Sequence, residues 1–232
     1  YSEKSKGDNT AQIMVTFLDQ DFEIKSKDHT ILNLQYNGME ISAEDPRLFY
    51  LQSKLWIIFN SSILEVANST RKMFIGELRL SNSNISPTVD FVRLKRDPVS
   101  LEKNWVPFKY NSELYMVHSF NPHIVLKITP ENGNAITSHE NPGVKWEYGS
   151  IRGGTPAIAL NENEFLTFFH SAKTYRFANN HVHKKVYFTG ALTFSREPPF
   201  RILRMTKYPI MDSYDYDDDN PHLVMFPTGL YK

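Results

Sequence analysis

Ile151-Arg152-Gly153-Gly154-Thr155-Pro156-Ala157-Ile158, then Asn161-Glu162-Asn163-Glu164, then Phe165-Leu166-Thr167-Phe168-Phe169-His170-Ser171, reads as strand, polar turn, strand. A glycine pair and a proline lead in, a four-residue turn reverses the chain, and an aromatic strand ends on a histidine. The same order recurs upstream. Asn104-Trp105-Val106-Pro107-Phe108 leads through Asn111-Ser112-Glu113 to Leu114-Tyr115-Met116-Val117-His118-Ser119. Glu44-Asp45-Pro46-Arg47-Leu48-Phe49-Tyr50 leads through Gln52-Ser53-Lys54 to Leu55-Trp56-Ile57-Ile58-Phe59-Asn60. A fourth opening, Val224-Met225-Phe226-Pro227-Thr228-Gly229-Leu230, stands near the last residue.

Pro46, Pro107, Pro156 and Pro227 are 61, 49 and 71 residues apart. A period of about 40 to 70 residues made of strands marks an array of propeller blades, whereas helical repeats would show apolar spacing near 3.6. A β-sandwich also contains hairpins. The joint recurrence of proline, turn and terminal His or Asn favours the propeller. The expectation is therefore an all-β chain forming one propeller domain over residues 1–232, with the polar residues that open each hairpin lining one axial funnel. Because the first residue is Tyr1 and the fourth copy breaks off, the chain is read as a piece of a propeller whose last blade is incomplete.

At 232 residues and 41% hydrophobic, the chain can bury a sizeable core. Its 16 Phe and 12 Tyr suit β structure. Lys plus Arg and Asp plus Glu both number 26, so a net charge of zero removes any whole-molecule attraction to nucleic acid or an acidic membrane. No apolar run approaches the ~18–20 residues that span a bilayer. Cysteine is absent, which excludes disulfides, a thiolate nucleophile and a Cys-based zinc site. Three sequons begin at Asn60, Asn68 and Asn84, as chance allows in a chain this rich in Asn and Ser.

Between the hairpins, alternating stretches at residues 13–18, 31–36, 73–80, 90–94, 124–128, 186–194 and 201–205 read as strands. Residues 129–149, with Pro130, Gly133, Pro142 and Gly143, read as loop. The acidic run at residues 215–219 lacks the Gly and terminal Glu of an EF-hand loop and reads as a solvated turn. His181 and His183 share a strand face, but no third ligand follows. No metal site is expected.

The motifs G-x-S-x-G, P-loop, H-E-x-x-H and G-x-G-x-x-G are all missing. What remains is a set of polar residues at equivalent places in the copies: Asp45 and Arg47, Lys103 and Asn104, His118 and His123, Arg152, and His170. In a propeller such residues converge although they are distant in sequence. One carboxylate among Arg, Lys and His suits protonation of a leaving group beside a bound anion. Ordinary glycosidases use two carboxylates, and Glu44 is set aside because neighbours in an extended strand point to opposite faces. Each residue also has a structural role open to it. Arg47 can lock a turn with Asp45 or Glu44, and His118 and His170 can be hydrogen-bonded strand ends. The glycines after Arg152 would let backbone approach a ligand.

At these residues the chain resembles the family-130 glycoside phosphorylases and their mannosyltransferase relatives. The resemblance rests on Glu44-Asp45-Pro46-Arg47, Glu102-Lys103 with Pro107-Phe108, Arg152-Gly153-Gly154-Thr155-Pro156 and Phe169-His170-Ser171. It continues through Tyr187-Phe188-Thr189-Gly190-Ala191 with Tyr208-Pro209-Ile210, and Phe226-Pro227-Thr228-Gly229-Leu230. Glu-Asp-Pro-Arg is its strongest piece. It implies a five-bladed β-propeller and an inverting reaction on β-mannosides with Asp45 as general acid, its proton passing through a sugar hydroxyl. It further implies Lys103 and His170 as phosphate-binding residues and Arg47 near the sugar; the reading of the residues themselves adds Arg152 to the anion-holding set and takes Asn104, His118 and Tyr187 as further substrate contacts. No cofactor is implied beyond phosphate or a nucleotide-sugar as co-substrate. The partners implied are an oligosaccharide or sugar donor. The chain departs from the family at Lys103-Asn104, where the family has Lys-Asp, and at His170-Ser171, where it has His-Gly, so the anion site is remodelled. Direct hydrolysis and non-catalytic sugar binding are the competing readings.

Overall fold

The computed structural model describes residues 11–24, 29–63, 70–80, 88–96, 102–176, 183–213 and 224–230. All regular elements among them are strands. Two short ribbons come first: β1 (Met14–Val15) with β2 (Thr30–Ile31), and β3 (Gln35–Tyr36) with β4 (Met39–Glu40). A four-stranded sheet then runs in sequence order through β5 (Ala43–Leu51), β6 (Lys54–Ile63), β7 (Thr70–Arg79) and β8 (Thr88–Arg93). A second runs through β9 (Val106–Tyr110), β10 (Glu113–Phe120), β11 (His123–Thr129) and β12 (Asn134–Asn141). In the third, β13 (Arg152–Gly153) and β14 (Ile158–Ala159) pair with β15 (Glu164–Arg176). β15 pairs with β16 (His183–Ser195), which pairs in turn with β17 (Ile202–Met205) and β18 (Met211–Asp212).

Each of the three complete copies in the sequence has thus become one meander. The chain is all-β, as its composition and alternation required. Among the described residues there are three such meanders rather than five, and residues 224–230, expected to open a fourth copy, form no strand. The acidic run at 215–219, His181 and the sequons at Asn68 and Asn84 lie outside the described residues.

The hairpin turns are local chemistry. Gln52-Ser53 (φ 52° and 61°) and Asn111-Ser112 (φ 46° and 63°) both sit left-handed, as a two-residue turn must to match the twist of its strands. Asn37-Gly38 repeats the geometry between β3 and β4. In the third meander the Leu160 N–H donates to Glu164 O at 2.9 Å, and the Asn163 N–H donates to Asn161 Oδ1 at 2.8 Å, closing the polar turn read from sequence.

The recurring terminal residue also has one address, on the second strand opposite the lead-in to the first. Asn60 faces Glu44 and His170 faces Arg152. His118 follows Val117, which faces Val106. One strand escaped the sequence reading. β12 lies in the stretch read as loop, and its burial pattern shows why: as an edge strand of polar composition it keeps half of its residues exposed and all but one of the rest only partly buried, and it carries little apolar alternation.

The chain divides into two compact units, Tyr1–Lys103 with Thr129–Asn134, and Asn104–Ile128 with Ala135–Lys232. In the first, Ile13, Leu32, Leu34, Ala43, Ile57, Phe59, Phe74 and Leu78 form the core, with Phe59 stacked on Phe74 at 5.4 Å. In the second, residues of the sheet ending in β12 pack on those of the sheet centred on β15 and β16. Phe108 is the hub there, with the rings of Phe165, Phe194, Phe200 and Tyr115 between 5.1 and 5.7 Å away.

His123, grouped with the site by sequence, belongs to this core instead. Its ring is fully buried and its Nε2 lies 2.9 Å from the Phe200 carbonyl, to which only an N–H can donate. Burial pulls its pKa below the ordinary 6.5, with the Phe200 carbonyl opposing more weakly. The unfolded chain therefore takes up a proton near pH 6.5 while the folded ring still refuses it. Stability is complete above that pH and drains as pH falls through it. Melting temperature measured from pH 7 to pH 5 is expected to fall in the natural chain and to be flatter in His123→Gln.

Candidate functional site

Asp45 sits where β5 breaks register. The pairing of Glu44 with Asn60 and of Arg47 with Ile58 leaves an irregularity between them, and Asp45 occupies it at φ 54°. A left-handed backbone costs an ordinary L-residue about 1–2 kcal/mol and is borne best by Asn, Asp and Gly. The irregularity overrides the alternation that put Glu44 on the opposite face. Asn60 Nδ2 donates to Asp45 Oδ2 at 3.0 Å and to the Glu44 carbonyl at 3.2 Å. Asn60 Oδ1 accepts from Arg71 Nη1 at 2.6 Å. Arg71 in turn forks onto Glu44, with Nη1 to Oε2 at 2.7 Å and Nη2 to Oε1 at 2.8 Å.

This network fixes the Asn60 amide without ambiguity. Arginine only donates and a carbonyl only accepts, so the amide oxygen must face Arg71 and its nitrogen must face Asp45. The half-buried Asp45 carboxylate is thereby aimed by a neutral donor that is itself held by an ion pair. Asn60 is 1% exposed, which also closes its sequon to modification in the folded chain.

Arg47 is buried at 1% exposure. Burial lowers its pKa to about 10 and the nearby Asp45 charge works against that shift, so Arg47 stays a cation at neutral pH. Glu44 is held by Arg71. Lys103, half-buried, follows Glu102, whose backbone N–H donates to the Arg71 carbonyl at 2.9 Å. Glu102 is itself a carboxylate at 3% exposure.

In the second unit the third sheet gathers three of the expected residues on one face. Arg152 faces His170 across β13 and β15, and His170 faces Thr189 across β15 and β16. Tyr187 is two residues from Thr189 and so points the same way. Arg152 is exposed and Tyr187 half-buried, with Lys185 Nζ 5.1 Å from its ring centre. His170 is 4% exposed, and the ring of Phe226 lies 5.0 Å from it.

Asn104 is left-handed at φ 62° and nearly buried, beside Trp105. The Trp105 indole meets His118 edge-on at 5.4 Å, and His118 falls where the β10 to β11 register shifts. The glycine pair serves the protein rather than a ligand. A Cβ on Gly153 would strike the Asn104 carbonyl, and one on Gly154 would strike the Phe168 carbonyl and come within 2.8 Å of Pro227.

Sequence reasoning missed Asn60, Arg71, Glu44 and Glu102 as a group. Asn60 was visible as the terminal residue of its copy, but Arg71 carried no signal because β7 brings it there only by pairing Ser62 with Arg71 and Asn60 with Met73. Among the described residues no three His, Asp or Glu side chains gather as a metal ion requires. No helix among them is long and apolar enough to cross a membrane.

No protein-family model matches the chain. It is similar to Beta-mannosyltransferase 2 of Komagataella phaffii, 35% identical over 130 residues that make up 51% of this chain and 19% of that protein. It is similar also to Beta-mannosyltransferase 1 of the same species, 32% identical over 133 residues, 50% of this chain and 19% of the relative. Beta-mannosyltransferase 7 of Candida albicans is 27% identical over 137 residues, 53% of this chain and 20% of the relative. The matched stretch thus spans about a fifth of the length of these curated relatives.

Four substitutions, one of them a control, test the architecture of the site. Arg71→Met is expected to cost about 1–2 kcal/mol in urea unfolding, since Arg71 is partly exposed but its three hydrogen bonds, two to Glu44 and one to Asn60, are charge-assisted. Combined with Glu44→Gln in a double-mutant cycle, it should show coupling of at least about 0.5 kcal/mol. Gly153→Ala is expected to lose about 1–3 kcal/mol by overpacking. Gly229→Ala, where nothing lies within 4 Å of the added methyl, should be near neutral in the same assay.

Proposed function

We propose that the chain carries part of the catalytic machinery of an inverting β-mannosyltransferase, built as a five-bladed propeller of which the three meanders are blades. The observation that carries the reading is Asp45, held left-handed in a strand irregularity and aimed by Asn60. Backbone strain and broken strand register cluster at sites where a side chain must be presented rather than packed. Similarity to three proteins named β-mannosyltransferases supports mannosyl transfer over phosphorolysis or hydrolysis.

In this reading an acceptor hydroxyl attacks the anomeric carbon of a mannosyl nucleotide. The carbon–oxygen bond to the diphosphate breaks as the new glycosidic bond forms, and the electron pair leaves with the diphosphate. The hydroxyl proton passes to Asp45, directly or through a sugar hydroxyl. Lys103 of the first unit, and Arg152 with His170 of the second, are the residues proposed for holding anionic oxygens. Arg47, Asn104, His118 and Tyr187 contact the sugars. A positioned carboxylate of this kind contributes about 10²–10⁴-fold to rate.

The experiment is mannosyl transfer from GDP-mannose to a β-mannobiose acceptor, run beside phosphorolysis of β-mannobiose by phosphate. Transfer in the first arm, reduced at least about 100-fold in Asp45→Asn with an unchanged melting temperature, is the expected outcome. Arg152→Gln should chiefly raise KM for the donor. Phosphate-dependent sugar-phosphate release with silence in the first arm would overturn transfer, and full activity of Asp45→Asn would remove it from the chemistry.

A further inference from the structure

We propose that Arg71 and Glu44 are a positioning pair for the reacting carboxylate. By holding the Asn60 amide in one orientation they reserve Asp45 Oδ2 as a hydrogen-bond acceptor and leave Oδ1 as the oxygen that exchanges the proton. The fate of that proton rests on the transfer reading; the choice of oxygen rests on hydrogen-bond geometry alone.

Asn60 reaches Asp45 with its Nδ2 and Arg71 with its Oδ1. At 1% exposure it has little water to turn toward. A planar amide carries donor and acceptor side by side, so a flip would exchange both contacts at once. The flipped amide would set its N–H groups against Arg71 Nη1, which only donates. Its oxygen would then meet Asp45 Oδ2 and the Glu44 carbonyl, where two acceptors already stand. Arg71, two strands away on β7, thus decides which end of the amide faces Asp45.

Arg71 is tied in its turn. It forks onto both Glu44 oxygens, at 2.7 and 2.8 Å. Ser62 faces Arg71 across β6 and β7, two residues beyond Asn60, so the Arg71 side chain leaves its strand on the face that carries Asn60. A planar guanidinium can fork onto a carboxylate and still present an N–H to the amide, which a single ammonium does less directionally.

Among the described residues the hydrogen bond onto the Asp45 carboxylate falls on Oδ2. A carboxylic acid donates with one oxygen and accepts with the other. With Asn60 donating to Oδ2, that oxygen takes the carbonyl part and the proton belongs on Oδ1. In the transfer reading the acceptor hydroxyl gives its proton to Oδ1 while its oxygen bonds to the anomeric carbon, and the acid so formed later releases the proton to solvent. The charged groups around this carboxylate are Glu44 and Arg47 of β5, Arg71 of β7, and Glu102 with Lys103, which are tied to β7 by the bond from the Glu102 N–H to the Arg71 carbonyl. At this end of β6, Phe59, Asn60 and Ser61 add none.

The Asp45 carboxyl carbon shift, followed by NMR against pH, reads its protonation in the full chain without any need for activity. The natural chain is compared with Glu44→Gln, Arg71→Met and the double variant Glu44→Gln/Arg71→Met. The double variant removes one charge of each sign, so net charge is kept while the amide is released to flip and accept from a protonated Asp45. The midpoint is expected to rise by at least about 0.5 pH unit in Arg71→Met and in the double variant, and not to rise in Glu44→Gln, where Arg71 still holds the amide. A rise in Arg71→Met that vanishes in the double variant would reduce Arg71 to its charge and overturn the pair, as would midpoints that do not move. In the GDP-mannose assay the double variant should lose at least about 5-fold in kcat, with KM for the donor within about 2-fold and the acidic limb of the pH profile moved up. Full kcat and an unmoved profile in the double variant, with Asp45→Asn inactive, would also overturn it. The expected carboxyl shifts in a chain that transfers nothing would sink only the transfer reading.

Discussion

A strand cannot both keep its register and turn two adjacent side chains toward one neighbour. β5 gives up the register. With Asp45 left-handed, the carboxylate of Asp45 and the carbonyl of Glu44 both reach the Asn60 amide. The cost of that backbone is met by a closed circuit of donors and acceptors through Asn60, Arg71 and Glu44. The circuit draws on β5, β6 and β7 at once, so the pairing of three strands must be correct before Asp45 is aimed. Everything proposed for the reacting centre depends on this arrangement.

Elsewhere the same economy holds with apolar contacts. In the second unit the sheet centred on β15 and β16 sends Phe165, Phe169, Phe188 and Phe194 to one face, where they meet Phe108, Tyr115 and Val117. Period-two alternation then forces Arg152, His170 and Tyr187 onto the other face. The packing of one face thus decides which polar residues are presented on the other. The glycines follow from it too, since Gly153 and Gly154 allow backbone to approach backbone where any side chain would hold it away.

Charge is distributed with comparable specificity in a chain whose total is zero. Arg47 and Arg71 are committed near Asp45, one by burial and one through Glu44. Arg93, Lys95 and Arg96 line a cleft three strands away at the far edge of the same sheet. The first set belongs to the strand pairing around Asp45, and the second follows the end of β8. Net charge alone would have suggested neither.

The sequence by itself determined the β character, the hairpin turns and the one-meander-per-repeat plan. These depend on short-range rules: alternation, left-handed turn residues such as Asn111-Ser112, and the polar turn before Glu164. It also singled out Asp45, and placed Asn60, His118 and His170 at a common address. The tertiary structure decided which of these residues meet. It joined Glu44, Asn60 and Arg71 to Asp45, moved His123 into the core and turned the glycine pair to internal packing. It also assembled a cationic cleft from Tyr36, Arg93, Lys95, Arg96 and Asn132. The physical reason is that strand pairing and register join residues far apart in the chain. A single irregularity in that register reverses the faces that alternation assigns, and only the folded strands reveal where it falls.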